Sequence, residues 1–207
     1  WSAYSKVNDH ITRTLLYDVD ISDVGSTAHL RVRYQNAIES DTPCAQIFDT
    51  TRVCYWNYAR VYTPLGINLL EEPYFQLPSG TIYGLRKIQS GYDVSNENTF
   101  EFAETTSHTE MAAFLSVGSR ETRELSFRYL LPSGVVTPTD NGNFRYDLTV
   151  QKHPGTINDN AFINIHLPKG SDVVSVLGDA IVEDAKVSFS VLLDTDQQIG
   201  VEYRLPE

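Results

Sequence analysis

Basic residues are scarce in this 207-residue sequence, which has 16 Lys and Arg against 27 Asp and Glu. The resulting formal net charge of −11 excludes a generic nucleic-acid binder, because such proteins neutralise phosphates with Lys and Arg. The same deficit disfavours binding to anionic lipid. No apolar run approaches the roughly 18 residues that a membrane helix needs. We therefore expect no membrane-embedded segment within this chain.

Helical periodicity is also missing, since no stretch repeats apolar residues at helical spacing between capping residues. Apolar and polar residues alternate instead, which is the pattern of a half-buried β-strand. Seven segments show this alternation: residues 15–21, 28–34, 125–131, 144–150, 161–167, 187–193 and 199–205. The sequence therefore predicts an all-β fold with little or no helix, built from two tandem antiparallel β-sandwiches of the immunoglobulin-like type.

Two similar strand endings indicate where these sandwiches divide. Residues 127–132 (FRYLLP) and 201–206 (VEYRLP) each end an alternating strand with Leu-Pro, and proline stops ladder pairing. The prediction is a first domain over residues 1–132 and a second, smaller domain over residues 133–207. The first domain carries long irregular excursions at residues 36–54 and 71–108. Leu-Pro is also a common way to end a strand, so an internal duplication stays open.

Catalytic motifs are absent: the sequence has no Gly-x-Ser-x-Gly, no His-Glu-x-x-His and no phosphate-binding loop. We predict a protein that is not an enzyme and that holds no cofactor or metal. One hydrolase alternative remains, in which Glu104, His108 and Glu110 act as acid and base if they converge in a cleft. Oxygen-rich loops at residues 140–143 and 158–160 leave calcium binding open, although Asn-Gly also favours a tight turn.

Four motifs, taken in order, carry a resemblance to a known family. They are residues 5–8 (SKVN), 57–66 (NYARVYTPLG), 124–132 (ELSFRYLLP) and 146–155 (YDLTVQKHPG). This set resembles the C-terminal β-rich part of the bacterial surface-protein family Domain of Unknown Function 4012, over most of residues 5–168. The resemblance implies an extracytoplasmic module, attached to the cell surface through a membrane helix outside this chain. It implies no activity and no catalytic residues.

Cysteine is almost absent as well, because Cys44 and Cys54 are the only two. An even count in an apparently exported β protein predicts a disulfide between them. A metal or redox pair is the alternative. A metal site of this kind usually has four ligands, and the sequence offers no third cysteine and no nearby histidine.

An aromatic cluster follows Cys54 directly. Alternation places Trp56, Tyr58, Arg60 and Tyr62 on one face of a predicted strand. If that face is exposed, it is a candidate binding surface for a sugar ring or a protein partner, with Arg60 as the polar contact. The alternative is that the face is covered and these side chains belong to the core.

These observations together predict a non-catalytic, extracytoplasmic β-module of a membrane-anchored bacterial surface protein. Its expected role is to present an adhesion, assembly or protein-interaction surface. The alternative is a carbohydrate-binding module for envelope or exopolysaccharide handling, and the exposure of Trp56, Tyr58 and Tyr62 distinguishes the two. Because the acidic surface repels anionic glycans, we expect a neutral glycan or a basic protein patch as the partner.

Overall fold

The computed structural model describes residues 6–42, 44, 53–73, 100–153 and 158–206. Over these residues the chain is all-β, as the alternation predicts, and it contains no α-helix. The described residues include two short 3-10 turns, at Lys6–His10 and Ser133–Val135. Among the described residues no helix is long and apolar enough to cross a membrane. Residues 45–52 and 74–99, which make up much of the two predicted excursions, lie outside the described residues.

The described strands follow one another closely along the chain. They are β1 Ile11–Asp20, β2 Thr27–Asn36, β3 Tyr55–Pro64, β4 Asn68–Glu71, β5 Glu101–Glu104, β6 His108–Val117, β7 Thr122–Leu130, β8 Val136–Pro138, β9 Phe144–Val150, β10 Asp159–His166, β11 Asp172–Leu177, β12 Ala180–Glu183, β13 Lys186–Leu193 and β14 Gln197–Arg204. The seven alternating segments fall on β1, β2, β7, β9, β10, β13 and β14. Alternation therefore located these strands correctly.

The strands form three sheets. The largest has seven strands in the order β12-β13-β10-β1-β2-β7-β4, the second has the order β11-β14-β9-β8, and the third has the order β3-β6-β5. Antiparallel pairing was predicted throughout, but β1 and β10 run parallel, with Leu15 opposite Ala161 and Val19 opposite Ile165. Parallel neighbours need a long connection, and here most of the chain lies between the two strands.

Two compact units interleave along the sequence. Unit 1 comprises Trp1–Arg13, Arg33–Thr63 and Glu72–Leu125, whereas unit 2 comprises Thr14–Val32, Pro64–Glu71 and Ser126–Glu207. The interleaving follows from strand pairing, because β1 near the start of the chain pairs with β10 far along it. The division into these two units differs from the predicted division at residue 132. The predicted pair of tandem domains stays a prediction.

The core of unit 2 contains three tyrosines from three different strands. Tyr17 of β1 has its hydroxyl 3.5 Å from that of Tyr146 of β9, and Tyr129 of β7 also influences the pKa of Tyr17. Tyr129 and Tyr146 are buried, and Tyr17 is half-buried. Burial is the main cause that raises the pKa of each of the three hydroxyls above its ordinary value. We call these residues the tyrosine cluster.

A row of polar side chains crosses the other face of the seven-stranded sheet. Ser188 donates to Asn164 at 2.9 Å, and Asn164 donates to one oxygen of Asp18 at 2.9 Å. Arg31 donates to the other oxygen of Asp18 at 2.8 Å. Burial favours a higher pKa for Asp18, but the hydrogen bonds from Asn164 and Arg31 outweigh it and lower that pKa. Because a slip of one residue would separate all three contacts, the row helps to set the strand register.

The core of unit 1 is built largely from β6, which buries side chains on both faces along most of its length. Asn36 at the end of β2 is also buried there. Its amide nitrogen donates to the carbonyl oxygens of Val53 at 2.8 Å and Val117 at 3.2 Å, and its side-chain oxygen accepts from the backbone of Ile38 at 3.0 Å. Asn36 is therefore a satisfied buried polar group that ties three segments together.

The predicted disulfide between Cys44 and Cys54 is present, with the two Cα atoms 5.7 Å apart. Cys54 is buried against Trp56 and Phe114, and Cys44 packs on the same cluster. The bond therefore both closes a short loop and forms part of a core.

Removing this disulfide should lower the free energy of unfolding. For a loop of this size the chain-entropy model gives about 3 kcal/mol. The test is urea denaturation of the oxidised protein and of the Cys44→Ser/Cys54→Ser variant. Reduction of the unmodified protein should shift the midpoint in the same direction, and coincident midpoints for the oxidised and variant proteins would show that the bond adds no stability.

Candidate functional site

The candidate binding residues lie on β3, in the three-stranded sheet of unit 1. Facing side chains on the neighbouring strand β6 contact them in cross-strand pairs. Trp56 stacks on Phe114 with ring centroids 5.9 Å apart, and Tyr62 meets His108 edge to face at 4.9 Å. Between these two pairs, the Arg60 Nε lies 3.1 Å from a carboxylate oxygen of Glu110.

We call the face of β3 that carries Trp56, Tyr58, Arg60 and Tyr62 the aromatic face. The three contacts join residue 56 to 114, residue 60 to 110 and residue 62 to 108, so the number falls on β6 by as much as it rises on β3, as expected for directly opposite positions in an antiparallel pair. This is the spacing of side chains on one side of a sheet.

Tyr58 occupies the middle of the aromatic face and reaches across an entire strand. Its hydroxyl donates to Glu101 of β5 at 2.6 Å. The residue between them is Ala112 of β6, which is opposite Glu101 in register. Alanine is short enough for the phenol ring to pass over it. The Arg60 guanidinium lies 5.2 Å from the Tyr58 ring centroid, so one ring face is already in a cation–π contact.

Exposure rises steadily along the aromatic face. Trp56 is only 8% exposed, Tyr58 is half-buried, and Arg60 and Tyr62 are exposed, Tyr62 to 55%. Trp56 belongs to the buried cluster around Cys54, so it does not present its ring to a ligand. The expectation that Trp56 shares in an exposed surface is corrected in this respect. Burial follows from its packing between the disulfide and Phe114.

Arg60 and Tyr62 are the two residues of this face that can meet a partner. A hydrogen bond with Tyr62, and then the charge of Glu110, raise the pKa of Arg60 above its ordinary value. The guanidinium is therefore held among three neighbours, Tyr58, Tyr62 and Glu110. His108 supports the Tyr62 ring, and its Nδ1 lies 3.0 Å from the hydroxyl of Ser107.

The three residues of the hydrolase alternative do not share one face of the sheet. His108 and Glu110 lie on the aromatic face, where they contact Tyr62 and Arg60 respectively. Glu104 is opposite Thr109 in register, and Ala103 is opposite Glu110. Because side chains alternate between faces, Glu104 projects to the side away from His108 and Glu110. Among the described residues no group of three or more His, Cys, Asp or Glu is placed to hold a metal ion.

Sequence reasoning missed the partners that organise this site. His108, which the sequence offers only as a member of the hydrolase alternative, is the first residue of β6. Glu101, Ala112 and Phe114 were not singled out. Their roles come from pairing across strands that are distant in the sequence. The sequence offers one signal for this pairing: residues 108, 110, 112 and 114 share one face of a strand, as do residues 56, 58, 60 and 62.

Of the two oxygen-rich loops, the first forms a tight turn between β8 and β9. Gly142 has a φ of 78°, in the left-handed region that favours glycine, and its backbone nitrogen donates to Thr139 at 3.0 Å. The turn chemistry of Asn141-Gly142 accounts for this loop.

No protein-family model and no curated protein matches this chain. Among solved structures, native leukotriene A4 hydrolase from Saccharomyces cerevisiae is similar at 6% identity and a TM-score of 0.46, covering 94% of this chain and 29% of that chain. A second structure of the native yeast enzyme gives 6% identity, a TM-score of 0.45 and the same coverage. The chain thus spans less than a third of the length of the structures that it matches, and a likeness of this degree carries no inference about activity. The resemblance to Domain of Unknown Function 4012 stays a prediction.

Proposed function

We propose that this chain is a non-catalytic, extracytoplasmic β-module of a bacterial surface protein, and that its aromatic face contacts another protein. The observation that supports this most directly is the exposed pair Arg60 and Tyr62, held in place by Glu110 and His108. Arg and Tyr are enriched among the residues that dominate binding energy at protein interfaces. Side chains that are already positioned lose less conformational entropy on binding.

A basic patch on the partner fits the surroundings of this pair. The chain carries a net charge of −11, and Glu101 and Glu110 lie on the same face as Tyr62. Charge complementarity favours a partner of opposite sign and speeds its encounter. The Arg60 guanidinium would then lie among acidic side chains of its own sheet, where it can pair with a single carboxylate of the partner.

A neutral glycan is the second candidate ligand. Stacking on a sugar needs open ring faces. Trp56 is covered, and one face of Tyr58 is taken by Arg60, so Tyr62 is the ring of this set that a sugar can reach. One open ring supports a sugar platform less well than it supports a protein hot spot, and we therefore place the protein partner first.

The location of the module forms part of the proposal. The disulfide supports an oxidising compartment outside the cytoplasm, where such bonds persist. Attachment to the cell surface through a segment outside this chain rests on the resemblance to Domain of Unknown Function 4012. The finer expectation of two tandem immunoglobulin-like sandwiches is also kept as a proposal, and the parallel pairing of β1 with β10 does not favour it.

Replacing Tyr62 by alanine should weaken partner binding by about tenfold or more, as expected for an interface hot spot. The thermal midpoint should change little, because exposed substitutions cost within about 0.5 kcal/mol. The measurement is crosslinking of the biotinylated protein on envelope material of the source cells, with bound proteins quantified by mass spectrometry. A glycan array with the same variants runs in parallel.

Phe102→Ala is the matched control, because Phe102 is an exposed aromatic of the same sheet but lies on the opposite face, across from Met111. A partner lost with Tyr62→Ala and kept with Phe102→Ala supports the proposal. Array binding that depends on Tyr62, without a protein partner, would favour the glycan instead. A bound partner that is indifferent to both Arg60→Ala and Tyr62→Ala would contradict the role of the aromatic face.

A further inference from the structure

Exposed apolar side chains are concentrated in one stretch of the sequence of unit 2. Twelve large apolar side chains are exposed among the described residues, and seven of them fall between residues 162 and 192. They are Phe162, Val174, Val176, Leu177, Ile181, Val182 and Leu192. Two of them, Phe162 and Ile181, line one depression, and contiguous exposed apolar surface on a folded domain marks an interaction site.

Strand β12 carries two of these side chains and lies at the edge of the seven-stranded sheet. Its four residues pair with β13, with Ile181 opposite Ser188 and Val182 opposite Val187. No described residue pairs with the other side of β12. Ile181 is 67% exposed and Val182 47%, so the strand offers apolar side chains on both faces of the sheet as well as a free row of backbone donors and acceptors.

A depression of about 360 Å³ adjoins β12 on the face that carries Ile181. Phe162 and Ile181 form its apolar walls, and the small side chains of Ser188 and Ser190 lie between them. The register explains the shape, because Ile181 is opposite Ser188 and Phe162 is opposite Ser190. A chain bound along the edge therefore finds a recess for one large apolar side chain.

Three carboxylates flank β12. Asp179 precedes the strand and lines the depression, Glu183 ends it, and Asp184 follows. No described residue forms an ion pair with any of the three, although Lys186 of β13 lies opposite Glu183 in register, and residues 171–185 contain no Lys or Arg. Two copies of β12 paired with each other would bring these like charges together, which is unfavourable. The charges favour a basic partner over a second copy of this chain.

We propose that β12 binds an extended, apolar segment of a partner protein that carries Lys or Arg at its ends, by adding that segment as an eighth strand of the sheet. Backbone hydrogen bonds along the free edge would supply affinity, and the recess between Phe162 and Ile181 would select a side chain. This surface belongs to unit 2 and the aromatic face to unit 1, and the proposal stands or falls independently of the aromatic face.

The test uses the whole chain, isotope-labelled for nuclear magnetic resonance, and three blocked hexapeptides of the pattern Lys-Thr-x-Thr-Val-Lys with Val, Leu or Phe at x. We expect at least one peptide to shift the backbone amides of residues 180–183 saturably. The same peptide with Glu in place of both Lys residues should bind at least about tenfold more weakly at low salt.

Ile181→Lys should abolish this binding, because it places a cation on the docking face and blocks the recess. Ile181 is exposed, so the fold should be retained, and the unchanged dispersion of the other amides checks this. The matched control is Leu70→Lys on β4, an exposed position at the opposite edge of the same sheet, which should bind like the unmodified protein. Asp179→Asn/Asp184→Asn should weaken only the basic peptides.

Three results would overturn the proposal. One is the absence of any shift at residues 180–183 with all three basic peptides. Another is binding that Ile181→Lys leaves intact. The third is a concentration-dependent dimer, detected by sedimentation, that Ile181→Lys dissociates, since this would assign the edge to a second copy of the chain.

Discussion

Replacing Trp56 by alanine should lower the free energy of unfolding by about 3 to 5 kcal/mol, the range for deleting a large aromatic from a core. Trp56 is packed between the Cys44–Cys54 disulfide and the ring of Phe114, and Tyr58 and Val53 complete the cluster. Removing the indole leaves a cavity beside a covalent crosslink, which limits how far the surroundings can relax. Urea denaturation of the oxidised protein measures the loss.

Two further variants separate packing from other causes. The indole nitrogen of Trp56 is buried and has no hydrogen-bond acceptor among the described residues. Trp56→Phe keeps a ring on Phe114 and removes this unpaired donor, so it should cost less than half of the alanine loss. Tyr62→Ala removes an aromatic from the exposed end of the same face and should cost within about 0.5 kcal/mol. Equal losses for Trp56→Ala and Tyr62→Ala would contradict the exposure gradient along β3.

The aromatic face shows how far alternation carries a prediction. Alternation placed Trp56, Tyr58, Arg60 and Tyr62 on one side of a strand, and their contacts with β6 and β5 agree. Burial along that side depends on what lies opposite each position. Phe114 and the disulfide lie beside Trp56, whereas His108 lies beside Tyr62. These neighbours are distant in sequence, so a period of two cannot distinguish the buried end from the exposed end.

Strand order is similarly hidden from local patterns. The alternation of β1 and β10 is visible in the sequence, yet it is compatible with a neighbour of either direction. Their parallel pairing is supported by contacts such as that between Asn164 and Asp18, which form only after the chain has closed over long distances. The short edge strand β12 went unpredicted for a related reason: four residues are too few to display a period.

The second large effect concerns alkaline pH and the tyrosine cluster in the core of unit 2. Burial raises the pKa of Tyr129 and of Tyr146 well above 10, and it raises the pKa of Tyr17 although hydrogen bonds with Tyr146 and Tyr129 oppose this. In the unfolded chain each hydroxyl loses its proton near about pH 10. At a pH between the pKa of the unfolded chain and the higher pKa of the folded protein, the unfolded state therefore binds fewer protons than the folded state.

This difference in bound protons determines the sign of the effect. Stability is fully present below about pH 10 and falls as the pH rises above it, because deprotonation favours the state that binds fewer protons. Each buried tyrosine contributes a slope of up to about 1.4 kcal/mol per pH unit, so three together approach about 4 kcal/mol per pH unit. A protein of ordinary stability would then unfold within about two to three pH units above 10.

Urea midpoints measured from about pH 8 to about pH 12 test this slope. Tyr146→Phe should reduce the decline in the free energy of unfolding by about 1.4 kcal/mol per pH unit, because the folded and unfolded states then differ by one bound proton fewer. Ile163→Val is the matched control, since Ile163 is buried in the same unit: it should lower stability by about 1 kcal/mol at every pH and leave the slope unchanged.

Tyrosinate absorbance supplies a second readout, because the cluster should ionise only as the fold opens. Parallel curves for Tyr146→Phe and the unmodified protein, or full ionisation of all 12 tyrosines while the circular dichroism of the folded state persists, would show that burial does not hold these protons.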